Sequence, residues 1–111
     1  MMLVFALAVF TLVAVMGLGL IFDVFKGSAS SKTFACLHGG FALFGSVLVI
    51  LAALGGDSRV WINIGMAVVI IVLGGLVSLS RHKGKPAKSL AVAHASLAVV
   101  CYLILAYIAF S

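Results

Sequence analysis

Two histidines occupy matching places in this chain. Slid by 56 positions, Lys32-Thr33-Phe34-Ala35-Cys36-Leu37-His38 lies over Lys88-Ser89-Leu90-Ala91-Val92-Ala93-His94 without a gap. Past the histidines, Gly39-Gly40-Phe41-Ala42-Leu43 lies over Ala95-Ser96-Leu97-Ala98-Val99. Apolar segments match by chance, so the Lys and His pairs at one spacing carry the comparison. Residues three, four and seven positions apart share a helical face. Around His38 that face holds Ala35, Ala42 and Gly45, and around His94 it holds Ala91, Ala98 and Cys101. Small residues let a neighbouring helix or a flat ligand approach the backbone closely. Phe34 and Phe41 flank the first histidine, and Leu90 and Leu97 the second.

Imidazole ligates haem iron, and helix bundles draw such ligands from facing helices. His38 and His94 are therefore the expected metal ligands of a haem b held edgewise between two helices. Gly39, Gly40, Ala42, Gly45 and Ala98 would make room for the ring, and Lys32 and Lys88 would pair with its propionates. The plainer alternative is that each imidazole hydrogen-bonds a neighbouring helix. A zinc or copper site is a further alternative, but closed zinc sites use four ligands and no carboxylate lies near this pair. Cys36 points to a different face from His38. His82 sits in a basic loop, and Tyr102 reads as a packing residue.

Four helices must position these groups. Nine of 111 residues are charged, seven basic and two acidic, and 66% are hydrophobic. Ordinary globular chains are about 25% charged, so this chain lacks the polar surface that water requires. Uncharged runs over 1–22, 33–56, 60–80 and 89–110 each suit a membrane crossing of about 20 residues. The expected fold is all-α, an integral membrane four-helix bundle. The first run lacks the basic start of a cleaved signal and reads as a retained span. The cysteines differ in depth by roughly 14 Å at 1.5 Å per residue and read as free thiols.

Lys and Arg set the orientation. Lys26, Lys32, Arg81, Lys83, Lys85 and Lys88 fall on the first and third connections, and Arg59 alone on the second. Both termini are then outside and the basic loops cytoplasmic, as in a multi-pass protein of a bacterial inner membrane. Trp61 and Tyr107 fall near the outer boundary. Four Lys or Arg and one His within 81–88 would suit nucleic acid in another setting, but beside a membrane they read as a topology signal. Pro86 lies in the third connection, where it interrupts no span.

Twice 56 nearly fills the chain, which implies two tandem hairpins, about 1–56 and 57–111, related by a pseudo-twofold along the membrane normal. Both histidines then lie about 9 Å below the level of Lys32 and Lys88. The first and third spans share mainly a Gly-rich inner part, Gly17 and Gly19 against Gly74 and Gly75.

With its short length, four spans, intramembrane histidines and basic loops, the chain resembles small four-helix bacterial membrane b-type cytochromes, loosely the cytochrome b561-like proteins. That resemblance implies electron transfer. Family members supply four histidines for two haems, one near each face, and this chain has none in its outer half. A single haem in the cytoplasmic half leaves roughly 20 Å of a 30 Å core uncrossed. Exchange with a quinone or a cytoplasmic redox partner is therefore expected rather than transfer across the bilayer, and a homodimer could hold two haems side by side. Other classes remain: a small transporter or channel with a His relay, or a structural assembly subunit. No acid/base pair or nucleophile constellation marks a hydrolytic or transferase centre, and the glycine pairs lie inside apolar helices rather than in a phosphate loop.

Overall fold

An apolar run leaves backbone groups no partner but each other, so each run winds into a helix. The structure, a computed structural model, describes residues 1–85 and 87–111; Pro86 of the third connection lies outside them. The helices are α1 (Met2–Lys26), α2 (Lys32–Leu54), α3 (Trp61–His82) and α4 (Lys88–Phe110), with a single 3₁₀ turn at Ser58–Val60 before α3. All four are long and apolar enough to cross a membrane.

α1 and α3 continue past the apolar runs that mark them, because a helix needs no apolar side chains to go on beyond a lipid boundary. They end at Gly27 (φ 70) and Gly84 (φ 72), where the left-handed conformation favours glycine. Ser28 N–H donates to the Asp23 carbonyl and Lys85 N–H to the Ser80 carbonyl, each at 2.9 Å, closing both ends in the same way. α2 opens at Ser31, whose Oγ accepts from Phe34 N–H at 3.3 Å. At the opposite end, Asp57 accepts from Arg59 N–H at 3.2 Å and from the Arg59 side chain. Arg59 Nη1 also donates to Ser111 Oγ at 2.9 Å, tying the start of α3 to the chain terminus.

These matches refine the repeat. The ends of α1 and α3 correspond at 57 positions, Gly27 with Gly84, whereas α2 and α4 start 56 apart, at Lys32 and Lys88. The gapless slide of 56 therefore holds for the second and fourth helices only. The second hairpin has one residue fewer between its glycine turn and the helix that follows.

The bundle measures 44 × 21 × 19 Å. α1 packs on α2 and α4, α3 packs on α4, and α2 and α3 are the loosest neighbours. The core cluster of Leu3, Ala6, Leu7, Val49, Ala53, Val60, Leu105 and Ile108 lies wholly in the half that carries the termini. The half toward the two basic connections, here the basic half, is less closed. Most other apolar side chains face outward, with Leu18 62% and Leu54 71% exposed. An apolar exterior of this extent suits lipid and not water.

Candidate functional site

His38 on α2 and His94 on α4 meet in the basic half. Their ring centroids are 6.5 Å apart and the planes are inclined at 68°. The helix preceding each one supplies the floor. A Cβ placed on Gly17 of α1 would fall 3.1 Å from His38 Cε1, and one on Gly74 of α3 would fall 2.9 Å from His94 Cε1. Carbon atoms pack at about 3.5–4.0 Å, so any side chain at either position would push the imidazole away. These two glycines, also 57 positions apart, are what the ring positions require.

The hydrogen bonding of the two imidazoles is related but unequal. His94 Nδ1 lies 2.8 Å from the carbonyl oxygen of Ile70, one turn before Gly74. A carbonyl only accepts, so Nδ1 carries the proton and Nε2 keeps the lone pair. The counterpart carbonyl, on Val13 one turn before Gly17, faces His38. It makes no well-formed hydrogen bond there, and His38 Nδ1 is buried without a partner. Leaving a buried polar atom unmatched costs about 1–3 kcal/mol. Among the described residues neither Nε2 makes a hydrogen bond.

The expected room-making residues divide into two groups. Ala42 and Ala98 are half-buried on the two small-residue stripes, and Gly45 is buried beneath the Phe10 ring, where a Cβ would come within 2.9 Å. Gly39 and Gly40 turn outward, and a Cβ on either would meet nothing within 4 Å. Gly40 instead lines a groove of about 410 Å³ on the outer face of α2, with Cys36, Leu37, Phe41 and Phe44. Lys32 is exposed at the start of α2, and Lys88 Nζ lies 5.9 Å over the Phe25 ring. Both cysteines are free, and His82 is exposed at the basic end.

Toward the termini the two hairpins diverge. Cys101 takes the place that Gly45 has in the first hairpin. Asn63, 3% exposed, donates from Nδ2 to the Cys101 carbonyl at 2.9 Å, and its Oδ1 has no partner. Thr11 Oγ1 donates to the Leu7 carbonyl at 2.9 Å and accepts from Tyr102 Oη at 2.7 Å, joining α1 to α4.

Neither Gly17 nor Gly74 stands out as a site residue by sequence. By sequence they belong to the Gly-rich inner part that the first and third spans share, and lying 21 and 20 positions before the histidines they are misaligned by a slide of 56. Among the described residues no three His, Cys, Asp or Glu side chains converge, and the imidazole pair is the candidate site. No family model, curated protein or solved structure matches this chain, and the functional argument rests on the geometry of that pair.

Proposed function

We propose that the protein is a membrane haem-b protein in which His38 and His94 ligate one iron, and that it transfers electrons to or from a quinone or a cytoplasmic partner. The observation that carries this reading is the spacing of the rings. A metal–nitrogen bond of about 2 Å and roughly 1 Å more to each ring centre would hold two imidazoles on one iron at most about 6 Å apart, close to the 6.5 Å between these rings. That spacing supports a reading in which the two rings share one iron.

The second shell supports the same reading. An iron-ligating histidine typically donates its other ring N–H to a carbonyl or carboxylate, which fixes the tautomer and raises ligand basicity. His94 does this with Ile70. His38 has the corresponding carbonyl beside it but is not yet engaged. If His38 held the iron through Nε2, its Nδ1 would be the atom to donate to the Val13 carbonyl, as His94 Nδ1 donates to Ile70. The looser contact in the bundle is between α2 and α3, and a macrocycle at the pair would need its room on that side.

In this account the hairpins are related by a pseudo-twofold along the membrane normal, with α2 and α4 supplying ligands and α1 and α3 supplying glycine floors. Six of seven basic residues at one end support a cytoplasmic position for that end, in this reading at a bacterial inner membrane. The pair then lies in the cytoplasmic half of the inner membrane, about 9 Å from the Lys32 level. When bound, haem supplies reversible one-electron chemistry. The chain itself orients the two imidazoles, excludes water with apolar walls, and offers Lys32 and Lys88 to the ring's carboxylates at the basic end.

The absorption spectrum of the detergent-purified protein tests this. Sharp b-type α and β bands on reduction, at one haem per chain, are expected. Colourless protein that takes up no added haem would overturn the proposal.

A further inference from the structure

The basic end carries a second concavity, one that the histidines do not touch. It is a cleft of about 210 Å³ between the two basic connections, lined by Asp23, Val24, Gly27, Ser28, Arg81 and Gly84, among others. Arg81 crosses from one hairpin to the other, donating from Nη2 to the Ser28 carbonyl at 2.7 Å. A guanidinium has five N–H donors, so others remain for a ligand. Asp23 accepts from Ser30 Oγ at 2.8 Å through Oδ2, which leaves Oδ1.

A cation and an anion thus line one cleft without neutralising each other. Among the described residues the ion pair is Arg59 with Asp57, at the opposite end of the bundle. Two further fields act on the cleft. α1 and α3 both terminate beside it, and helix C-termini carry partial negative charge that favours a cation. Lys26, Lys83 and Lys85 stand near its rim in sequence and favour an anion. A ligand carrying an amine and a phosphate a few bonds apart satisfies both sides. With the four helices across a bilayer, the cleft would lie at headgroup depth, beside Lys26 Nζ, 5.6 Å over the Phe22 ring, and the exposed Phe22 and Phe25.

We infer that this cleft binds the phosphoethanolamine headgroup of a zwitterionic phospholipid, with the ammonium at Asp23 and the phosphate at Arg81. Its size is suitable. At roughly 30 Å³ per water, 210 Å³ holds about seven waters, close to the bulk of such a headgroup. The site binds lipid through groups remote from the imidazoles, so it stands or falls separately from haem ligation.

Native mass spectrometry of the delipidated protein, titrated with three lipids, tests the inference. Phosphatidylethanolamine is expected to bind at least tenfold more tightly than phosphatidylglycerol, which lacks the amine. The same margin is expected over phosphatidylcholine, whose quaternary amine has no N–H to donate. Asp23→Asn should erase the preference for the primary amine, and Arg81→Gln should weaken phosphatidylethanolamine at least tenfold. Helix content measured on both variants confirms that they fold. Water-soluble phosphoethanolamine at high millimolar concentration should displace the lipid, which assigns binding to the headgroup. Equal binding of the three lipids, two variants that bind like wild type, or lipid that the soluble headgroup cannot displace would each overturn the inference.

Discussion

The basic half of the bundle and the half that carries the termini are made from the same two hairpins by different rules. In the basic half the histidines, the glycines beneath them and the glycine helix ends of one hairpin have counterparts in the other. His38 matches His94, Gly17 matches Gly74, the Val13 carbonyl matches that of Ile70, and Gly27 matches Gly84. In the half carrying the termini the counterparts part company. Gly45 is filled by Phe10, while Cys101 is met by Asn63, and Ala6 occupies the place equivalent to Asn63. That half is also the closed one, with Ala6 and Val60 at 0% exposure and Leu105 at 2%. Packing can be satisfied in several ways, so two hairpins can solve it differently. The imidazoles and the glycines beneath them are placed alike in both hairpins, and there the hairpins agree.

Alanine at the glycine floors should break that agreement most strongly. In Gly74→Ala the added carbon lands 2.9 Å from His94, displacing the ring and the hydrogen bond to Ile70. Haem affinity is expected to fall at least tenfold, with about 1–3 kcal/mol lost from overpacking. Gly17→Ala, at 3.1 Å and with no hydrogen bond to lose, should show a smaller fall in the same titration.

A matched substitution in the other half sharpens the contrast. Gly45→Ala drives a carbon into the Phe10 ring and should also cost about 1–3 kcal/mol, read by unfolding in detergent. Its haem affinity should stay within about twofold of wild type, because Phe10 lies a turn or more beyond the imidazoles.

Asn63→Leu is expected to be nearly neutral. It gives up a hydrogen bond of about 0.6 kcal/mol by the membrane-protein average, but removes a buried oxygen that has no partner. Denaturant unfolding within about 1 kcal/mol of wild type is the expected result. A large loss would show that Oδ1 has a function that packing does not reveal.

The smallest effect belongs to Asp57, where a hydrogen bond from Arg59 holds the carboxyl below its ordinary value. A depressed carboxyl stabilises the fold fully above the ordinary carboxylate range, and that contribution fades as pH falls through the lower folded value. Arg59→Gln should return the Asp57 titration, followed by NMR, toward the ordinary value, with little effect on stability at an exposed position.

Much of this architecture was legible in the chain. Uncharged runs announce helices because the backbone has no other partner in lipid, and the two Lys-to-His spacings announce a repeat. Helix ends were less legible: α1 and α3 run on to Lys26 and His82, since apolar length reports the bilayer and not the helix. The glycine floors were hidden by a single-residue difference in loop length, which shifts Gly17 off Gly74 under an ungapped comparison. Asn63 with Cys101 was not legible at all, because that contact depends on how α3 docks against α4, and no spacing within either helix encodes it. Gly39 and Gly40 drew attention by adjacency to His38, yet one residue along a helix turns a position about 100° from its neighbour.

The most direct test of paired ligation is a haem titration of the haem-free protein in detergent, run on wild type, His38→Ala and His94→Ala. Wild type should saturate at one haem per chain with a six-coordinate low-spin spectrum, and each variant should lose that spectrum while keeping its helix content. Wild type that binds no haem, or either variant retaining the wild-type spectrum, would contradict ligation by the pair.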